Sequence, residues 1–381
     1  PWLVFFQGGP GGKSPRPTGR TGWIDRALKD YRVLLLDQRG TGRSTPVTAR
    51  TLAWRGGPQA QADYLKHFRA DAIVRDAELI RRELLGADER WSVLGQSFGG
   101  FCVTTYLSLA PEGLREAFIT GGLPPIQHGP DDVYRATYKR VLAKNQAYCA
   151  RYPEDQERAA AILAHLAGND VHLPDGSHLP PARFQQLGMA FGMSDGFEQV
   201  HYVLDEAFVQ GPHGPELSET FLVGVLAAVS FATNPIYALL QEACYTEGIA
   251  SRWSAERIRA DYPEFAPVPG QPPLFTGEMI YPWMFEEDPV LKPMQEAAQL
   301  LADYQDWPAL YDVPRLRANT VPVAAAVYYD DMYVERAFSE ETAATIPGCR
   351  TWVTNEYEHN GLRAAGDAVL GRLIALVRGE A

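Results

Sequence analysis

The sequence predicts an α/β protein with a mostly parallel central sheet and an inserted, mostly helical cap domain. Strand-like apolar segments alternate with helical patterns over the first ~120 residues, as they do in a parallel sheet. From residue 131 to about residue 318 the pattern is helical, and strands return only at residue 321. We therefore expect one domain built from residues 1–123 and 319–381, with residues 124–318 forming the cap domain.

Each predicted element is identified by its own pattern of apolar residues and breakers. In chain order these are a strand at 2–7, a helix at 23–29, a strand at 31–37, a helix at 70–85, a strand at 91–94, a helix at 98–109 and strands at 115–120, 321–329 and 350–354. Gly86 ends the long amphipathic helix. Within the cap, Asp175-Gly176 lies between short apolar runs and predicts a hairpin or an exposed turn. His172 and His178 flank it without carboxylate or cysteine ligands at useful spacing, which favours a surface loop over a metal site.

Composition excludes several classes of protein. The 381 residues exceed what one hydrophobic core usually holds, and no apolar run approaches the ~18–20 residues of a membrane span. The net charge of −12 argues against nucleic acid as a partner. The four cysteines lack the spacing of a zinc site or a disulfide framework, so we expect reduced thiols. We expect neither a metal nor a cofactor.

The most informative motif is the segment 95–100, GQSFGG, which contains the pattern G-x-S-x-G. In this pattern a serine lies on a tight turn between a strand and a helix, and a Cβ at either glycine would collide with its neighbours. The apolar run 91–94 precedes the motif and a helical pattern follows it, as the turn requires. Ser97 is therefore predicted to be a nucleophile, with the first amides of the helix directed at negative charge that forms beside it.

The last two predicted strands end in candidates for a general base and its acid, which a serine nucleophile needs. The strand 321–329 is followed by Asp330 and Asp331, and the strand 350–354 leads into a loop that contains His359. Serine, acid and histidine then follow in the order of the α/β-hydrolase fold, at the strand ends where functional residues of parallel sheets collect. We predict His359 as the base and either aspartate as the acid, and we favour Asp331.

The loop after the first strand, residues 7–12, reads QGGPGG. Its glycines allow the backbone to approach a substrate closely and to direct an amide inward. An amide of Gly8 or Gly9, together with that of Phe98, would form an oxyanion hole, and we favour Gly9. A phosphate-binding loop is excluded, because neither G-x-G-x-x-G nor G-x-x-x-x-G-K-[ST] is present there.

Three segments together resemble the proline iminopeptidases, serine exopeptidases of the α/β-hydrolase superfamily. They are residues 8–12, GGPGG, residues 37–44, DQRGTGRS, and the Ser97 turn, and the resemblance spans the whole chain. It implies an α/β-hydrolase fold with a cap domain, and an enzyme that releases an N-terminal residue, typically proline. Gln7 stands where histidine is usual, and residues 328–332 read YYDDM where the family commonly has Gly-Arg-Tyr-Asp. These two departures indicate a divergent branch of the family.

An aminopeptidase must bind a protonated amine, and a carboxylate in a partly desolvated pocket does this. Family members carry a glutamate at comparable places in the cap. The resemblance and the apolar neighbours of both side chains imply Glu242 and Glu278 as amine-binding residues. The alternative is that each faces solvent or pairs with an arginine. Tyr281, Trp283 and Phe285 either wall a pocket for the first side chain or belong to the core.

The residues and the resemblance together predict a serine aminopeptidase that cleaves short peptides with a free N-terminus through an acyl-enzyme. One alternative is a carboxylesterase or amide hydrolase of small acyl substrates. Another is a non-catalytic α/β-hydrolase that serves as a binding protein. We expect no nucleic-acid or membrane partner and a cytoplasmic location. Because the chain starts at Pro1 and the family normally has further strands before this point, we also expect that N-terminal residues have been removed.

Overall fold

The computed structural model describes residues 1–380. Its strands are β1 (Trp2–Phe6), β2 (Arg32–Leu35), β3 (Trp91–Gln96), β4 (Leu114–Thr120), β5 (Phe208–Gly211), β6 (Gly214–Leu217), β7 (Val323–Tyr328) and β8 (Cys349–Thr354). Its α-helices are α1 (Gly22–Leu28), α2 (Ala49–Ala53), α3 (Pro58–Leu65), α4 (Ala70–Leu85), α5 (Phe98–Leu109), α6 (Pro130–Arg151), α7 (Asp155–Gly168), α8 (Pro181–Gln185), α9 (Gly196–Asp205), α10 (Glu219–Val229), α11 (Pro235–Leu240), α12 (Ser254–Arg259), α13 (Met284–Glu287), α14 (Gln295–Asp303), α15 (Val313–Arg317), α16 (Arg336–Thr345), α17 (Gly361–Ala364) and α18 (Gly366–Arg378).

Six of the strands form one sheet in the order β2-β1-β3-β4-β7-β8, and every neighbouring pair in it is parallel. This confirms the predicted parallel sheet. Since parallel strands have all their carboxyl ends at one edge, the loops that follow β1, β3, β7 and β8 meet at that edge. These loops carry the predicted nucleophile, acid and base and the predicted oxyanion-hole residues, whereas Glu242 and Glu278 lie between β4 and β7.

The inner strands β1, β3, β4 and β7 are mainly buried, which explains their apolar sequences, whereas the edge strands β2 and β8 are partly exposed. Because successive side chains alternate between faces, Leu3 and Phe5 of β1 belong to a layer formed with α1 and α18. Val4 and Phe6 belong to the larger core on the opposite face, which includes α4 and α5. Helices therefore cover both faces of the sheet.

Between β4 and β7 the chain forms α6 to α15 and the antiparallel hairpin β5–β6, so this part is mostly helical as predicted. The division of the chain into two domains stays a prediction. The predicted turn at Asp175-Gly176 is confirmed, because His172 and His178 pair across it in an antiparallel bridge. The hairpin β5–β6 is missing from the sequence prediction, since its strands, FVQG and GPEL, lack an alternation of apolar and polar residues.

The predicted bounds of α4 and α5 agree with the structure, and β3 extends two residues further, to Gln96. β2 is shorter than predicted, covering only Arg32–Leu35. The short helices α2 and α3 are absent from the sequence prediction. No helix within residues 1–380 is long and apolar enough to cross a membrane.

Candidate active site

Ser97 occupies the sharp turn between β3 and α5. Its backbone has φ 55° and ψ −127°, a conformation that only a few non-glycine residues adopt and that stores strain. The flanking glycines permit the turn, because a Cβ on Gly95 would lie 2.3 Å from the carbonyl oxygen of Gly99. A Cβ on Gly99 would lie 1.9 Å from the carbonyl oxygen of Phe6. The G-x-S-x-G spacing therefore has the steric cause that the sequence predicts.

The structure brings Asp331, and not Asp330, to His359. Asp331 Oδ2 lies 2.7 Å from His359 Nδ1, and both side chains are buried. The other oxygen of Asp331 accepts the backbone amides of Tyr333 and Val334 at 2.9 and 3.1 Å, which fixes the direction of the carboxylate. The side chain of Asp330 is 57% exposed and faces an arginine of α6 instead.

The protonation of His359 depends on these neighbours. Burial alone would lower the pKa of His359, but the negative charge of Asp331 and its hydrogen bond outweigh burial, so the pKa lies above its ordinary value. Glu278 and Glu358 add to this increase. The imidazolium that forms when His359 accepts a proton is therefore stabilised.

Backbone contacts hold the loop of His359 against the rest of the molecule. The amide of His359 donates to the carbonyl of Gly192 at 3.1 Å, and the side-chain amide of Gln96 donates to the carbonyl of His359 at 3.1 Å. The ring of Tyr333 packs edge-on against the imidazole, with 4.7 Å between centroids. The imidazole therefore has little freedom to turn, and its Nε2 stays available.

Of the two glycine amides predicted as oxyanion donors, only that of Gly9 is free. The Gly8 amide donates to the side-chain oxygen of Gln7 at 3.0 Å and is therefore already paired. The amides of Gly9 and Phe98 have no acceptor among residues 1–380, and both residues line a small cavity together with Ser97. A substrate oxygen placed there would accept both hydrogens, which is the requirement for an oxyanion hole.

A cavity of about 590 Å³ opens beside Ser97 and His359. Its wall combines the loop after β1, the ends of β3 and β8, and segments from the region between β4 and β7. The cavity is lined by Gln7, Gly8, Gly9, Gly12, Gln96, Ser97, Gln186, Leu187, Met189, Ala190, Met193, Gln199, Ala227, Ala228, Ser230, Phe231, Asn234, Tyr237, Glu278, Tyr333, His359 and Arg363. Such a wall, in which polar groups converge among apolar side chains, is typical of a small-molecule or peptide site.

Glu278 is a carboxylate in this cavity. Its Oε1 accepts a hydrogen bond from the hydroxyl of Tyr237 at 2.5 Å. Burial raises the pKa of the Glu278 carboxyl to about 7, although the Tyr237 hydrogen bond acts in the opposite direction. A cationic group bound beside Glu278 would favour its ionised form.

The structure does not bring Glu242 to the cavities beside Ser97. Its two carboxylate oxygens accept the backbone amides of Ser254 and Ala255 at 3.0 and 2.9 Å, so Glu242 holds the first turn of α12. It lines neither the large cavity nor the small one beside Ser97. The sequence is misleading here because a carboxylate among apolar residues can be satisfied by backbone amides as well as by a ligand.

The aromatic residues near Glu278 are core residues rather than pocket walls. Tyr281 and Phe285 are almost completely buried, and the Tyr281 hydroxyl pairs with that of Tyr138 at 2.8 Å. Trp283 does not line the cavity either. Aromatic residues from other segments line it instead: Phe231, Tyr237 and Tyr333.

Tyr237, Tyr333 and Gln96 are missing from the sequence prediction although they contact the predicted site. Gln96 directly precedes the predicted nucleophile, and Tyr333 follows the predicted acid by two residues, so adjacency was a usable signal. Tyr237 offered a weaker signal, since only its position on a short helix after Pro235 marked it.

Comparison with known proteins identifies similar chains. A family model described as alpha/beta hydrolase fold matches residues 1–169. A proline iminopeptidase of Aeromonas sobria is 54% identical over 378 residues, which cover 99% of this chain and 88% of that protein. A proline iminopeptidase of Aspergillus aculeatus is 38% identical over 390 residues, covering 99% of this chain and 85% of that protein. A solved proline iminopeptidase of Mycobacterium smegmatis aligns with 99% of this chain and 89% of its own, with a TM-score of 0.46 and 15% identity.

Proposed function

The chain belongs to the proline iminopeptidase family, and we propose that it is a serine aminopeptidase that releases proline from the N-terminus of peptides. The observation that carries the proposal is the convergence of Ser97, His359 and Glu278 on one cavity. Such a cavity combines a nucleophile and its base with a carboxylate for the substrate amine. If Glu278 holds the substrate amine while Ser97 attacks the carbonyl of the same residue, the substrate is a peptide that is cleaved after its first residue.

We propose His359 as the general base. Its Nδ1 lies against Asp331, which leaves Nε2 for the hydroxyl of Ser97. As Ser97 Oγ bonds to the carbonyl carbon of the first residue, its proton passes to Nε2. The imidazolium then gives that proton to the leaving nitrogen, and the shortened peptide departs. Water, deprotonated by His359, hydrolyses the aminoacyl ester and regenerates Ser97.

The oxyanion formed in each step accepts hydrogen bonds from the amides of Gly9 and Phe98. Both amides are free of other acceptors among the described residues, so no existing hydrogen bond has to break when charge develops. Phe98 is also the first residue of α5, whose N-terminal partial positive charge adds to the stabilisation.

Glu278 binds the protonated amine and restricts cleavage to the first peptide bond. A substrate with an acetylated N-terminus has no positive charge to pair with the carboxylate, so the partly buried negative charge keeps only the hydrogen bond from Tyr237. The proposal therefore distinguishes an aminopeptidase from an esterase, which needs no such carboxylate. The relatives do not favour the esterase or the non-catalytic alternative.

The test compares hydrolysis of prolyl, alanyl and leucyl arylamides with that of N-acetylprolyl arylamide and a p-nitrophenyl ester. We expect turnover of the prolyl arylamide, its loss on acetylation, and labelling of Ser97 by a fluorophosphonate probe. Ser97→Ala is the control for contaminating activity. Turnover of the ester alone would overturn the proposal in favour of an esterase, and absence of both turnover and labelling would favour a binding protein.

A further inference from the structure

A second polar side chain lies beside Glu278 without a partner of its own. Gln241 is 3% exposed, and its Oε1 has no donor among residues 1–380. Buried oxygens are rarely left unpaired, because an unmade hydrogen bond costs about 1–3 kcal/mol. The proposed mechanism does not involve Gln241 and therefore does not explain why the oxygen of Gln241 is unpaired.

The placement of Gln241 connects it to the active site. The amide of Gln241 donates to the carbonyl of Tyr237 at 3.0 Å, a helical i, i+4 relation that puts both side chains on one face of α11. Tyr237 donates to Glu278 at 2.5 Å, and Gln241 lies close enough to Glu278 to lower the pKa of its carboxyl. The unpaired Oε1 of Gln241 is therefore an acceptor near the carboxylate.

Gln241, Glu278 and Ser97 line one small cavity, together with the amide-bearing residues Gly9 and Phe98. The cavity measures about 10 Å³ and adjoins the position where the oxyanion of the substrate would form. The substrate ammonium is attached to the carbon next to the scissile carbonyl, so it would lie beside that position, and it presents only donors. A carboxylate and an amide oxygen side by side suit such a group better than they suit a neutral side chain.

We propose that Gln241 Oε1 is a second acceptor for the protonated N-terminal amine of the substrate, acting beside Glu278. This deepens the proposed function and rests on it. The ammonium places one N–H on the Glu278 carboxylate and another on Gln241 Oε1, so the amine is fixed in direction as well as bound. Fixing its direction places the first carbonyl carbon relative to Ser97 Oγ, which is how amine binding contributes to turnover.

The test uses two substrates that differ in the amine. One is prolyl p-nitroanilide, and the other is p-nitrophenyl cyclopentanecarboxylate, which has the same ring size without the nitrogen. We expect Gln241→Met to lower kcat/KM for the prolyl substrate about 10- to 100-fold, because a hydrogen bond to a charged group is lost and the first carbonyl carbon is less well placed at Ser97. The cyclopentane ester should change less than about twofold. Equal losses for both substrates, or no loss for either, would overturn the inference.

A second variant and a matched control separate binding from folding. Gln241→Glu keeps the length of the side chain and an acceptor oxygen, so at pH 8 it should retain prolyl turnover within about threefold. A tenfold or larger loss of prolyl turnover in a folded Gln241→Glu protein would also overturn the inference. Gln185→Met is the control, because Gln185 is buried with an unpaired Oε1 but lines neither cavity. It should lower Tm and leave the ratio of the two rates unchanged.

Failure of the proposed function is distinguishable from failure of this inference. A wild-type protein that hydrolyses the cyclopentane ester but not the prolyl substrate would overturn the proposed function, and with it the role of Gln241. That outcome is seen with the wild-type protein before any variant is compared.

Discussion

Glu278→Gln is expected to separate recognition of the amine from the chemistry at Ser97. Glutamine keeps the size of the side chain but removes the negative charge that pairs with the substrate ammonium. Loss of one partner of a buried, hydrogen-bonded charge pair costs about 2–5 kcal/mol. Since Glu278 is only partly buried and glutamine keeps one acceptor oxygen, we expect about 2–4 kcal/mol, which corresponds to a 30- to 700-fold lower kcat/KM.

The pH profile provides a second measurement on the same variant. In the wild-type protein, Glu278 has a pKa of about 7 and must be ionised to bind the amine, and His359 must be neutral to accept a proton. Prolyl turnover should therefore fall as the pH decreases below about 7. The charge of Glu278 also helps to raise the pKa of His359. In Glu278→Gln the acid limb of ester hydrolysis should accordingly move to lower pH.

The assay compares kcat/KM for prolyl p-nitroanilide with that for a simple p-nitrophenyl ester, from pH 5 to 9. Glu242→Gln is the matched control, since Glu242 bonds to backbone amides outside both cavities. It should lower Tm while leaving the ratio of the two substrates unchanged. A Glu278→Gln protein with the wild-type ratio, or a Glu242→Gln protein with a selectively reduced prolyl rate, would refute the assignment of the amine to Glu278.

Three further substitutions test the acid that orients His359 and the turn of Ser97. Asp331→Asn should lower kcat for the prolyl arylamide about 10³- to 10⁴-fold, because the imidazole loses the carboxylate that orients it, whereas Asp330→Asn should stay within about threefold of wild type. Similar rates for the two asparagine variants would contradict this. Gly99→Ala places a Cβ 1.9 Å from the carbonyl oxygen of Phe6, so it should lower the free energy of unfolding by at least about 2 kcal/mol in urea titrations. Wild-type stability of that variant would show that the turn can widen.

The local parts of the fold were predictable because their causes are local. A tight strand–turn–helix requires small residues on both sides of Ser97, so the spacing of Gly95 and Gly99 predicts the turn directly. The amphipathic period and Gly86 define α4 in the same way. Where the pattern carries no period, as in the four-residue strands of the hairpin β5–β6, the prediction fails.

Between neighbouring candidates the sequence expressed a preference, for Asp331 and for Gly9, but could not decide. Asp330 and Asp331 are adjacent and chemically identical, but only Asp331 is directed at His359. Gly8 and Gly9 are equally small, but the Gly8 amide is already paired with a side chain. The two aspartates differ in the direction of their side chains, and the two glycines differ in whether the amide is already hydrogen-bonded. Neither property can be read from the type of residue.

The sequence by itself determined the parallel sheet, the turn of Ser97 and the order of the candidate nucleophile, acid and base. Only the tertiary structure decided that Glu278 lies in the cavity and that Glu242 holds the first turn of α12. The physical reason is the range of the interactions. Periodicity and backbone sterics act over a few residues, whereas a site depends on angstrom-scale distances between segments far apart in the chain, and on which polar groups the fold has already paired.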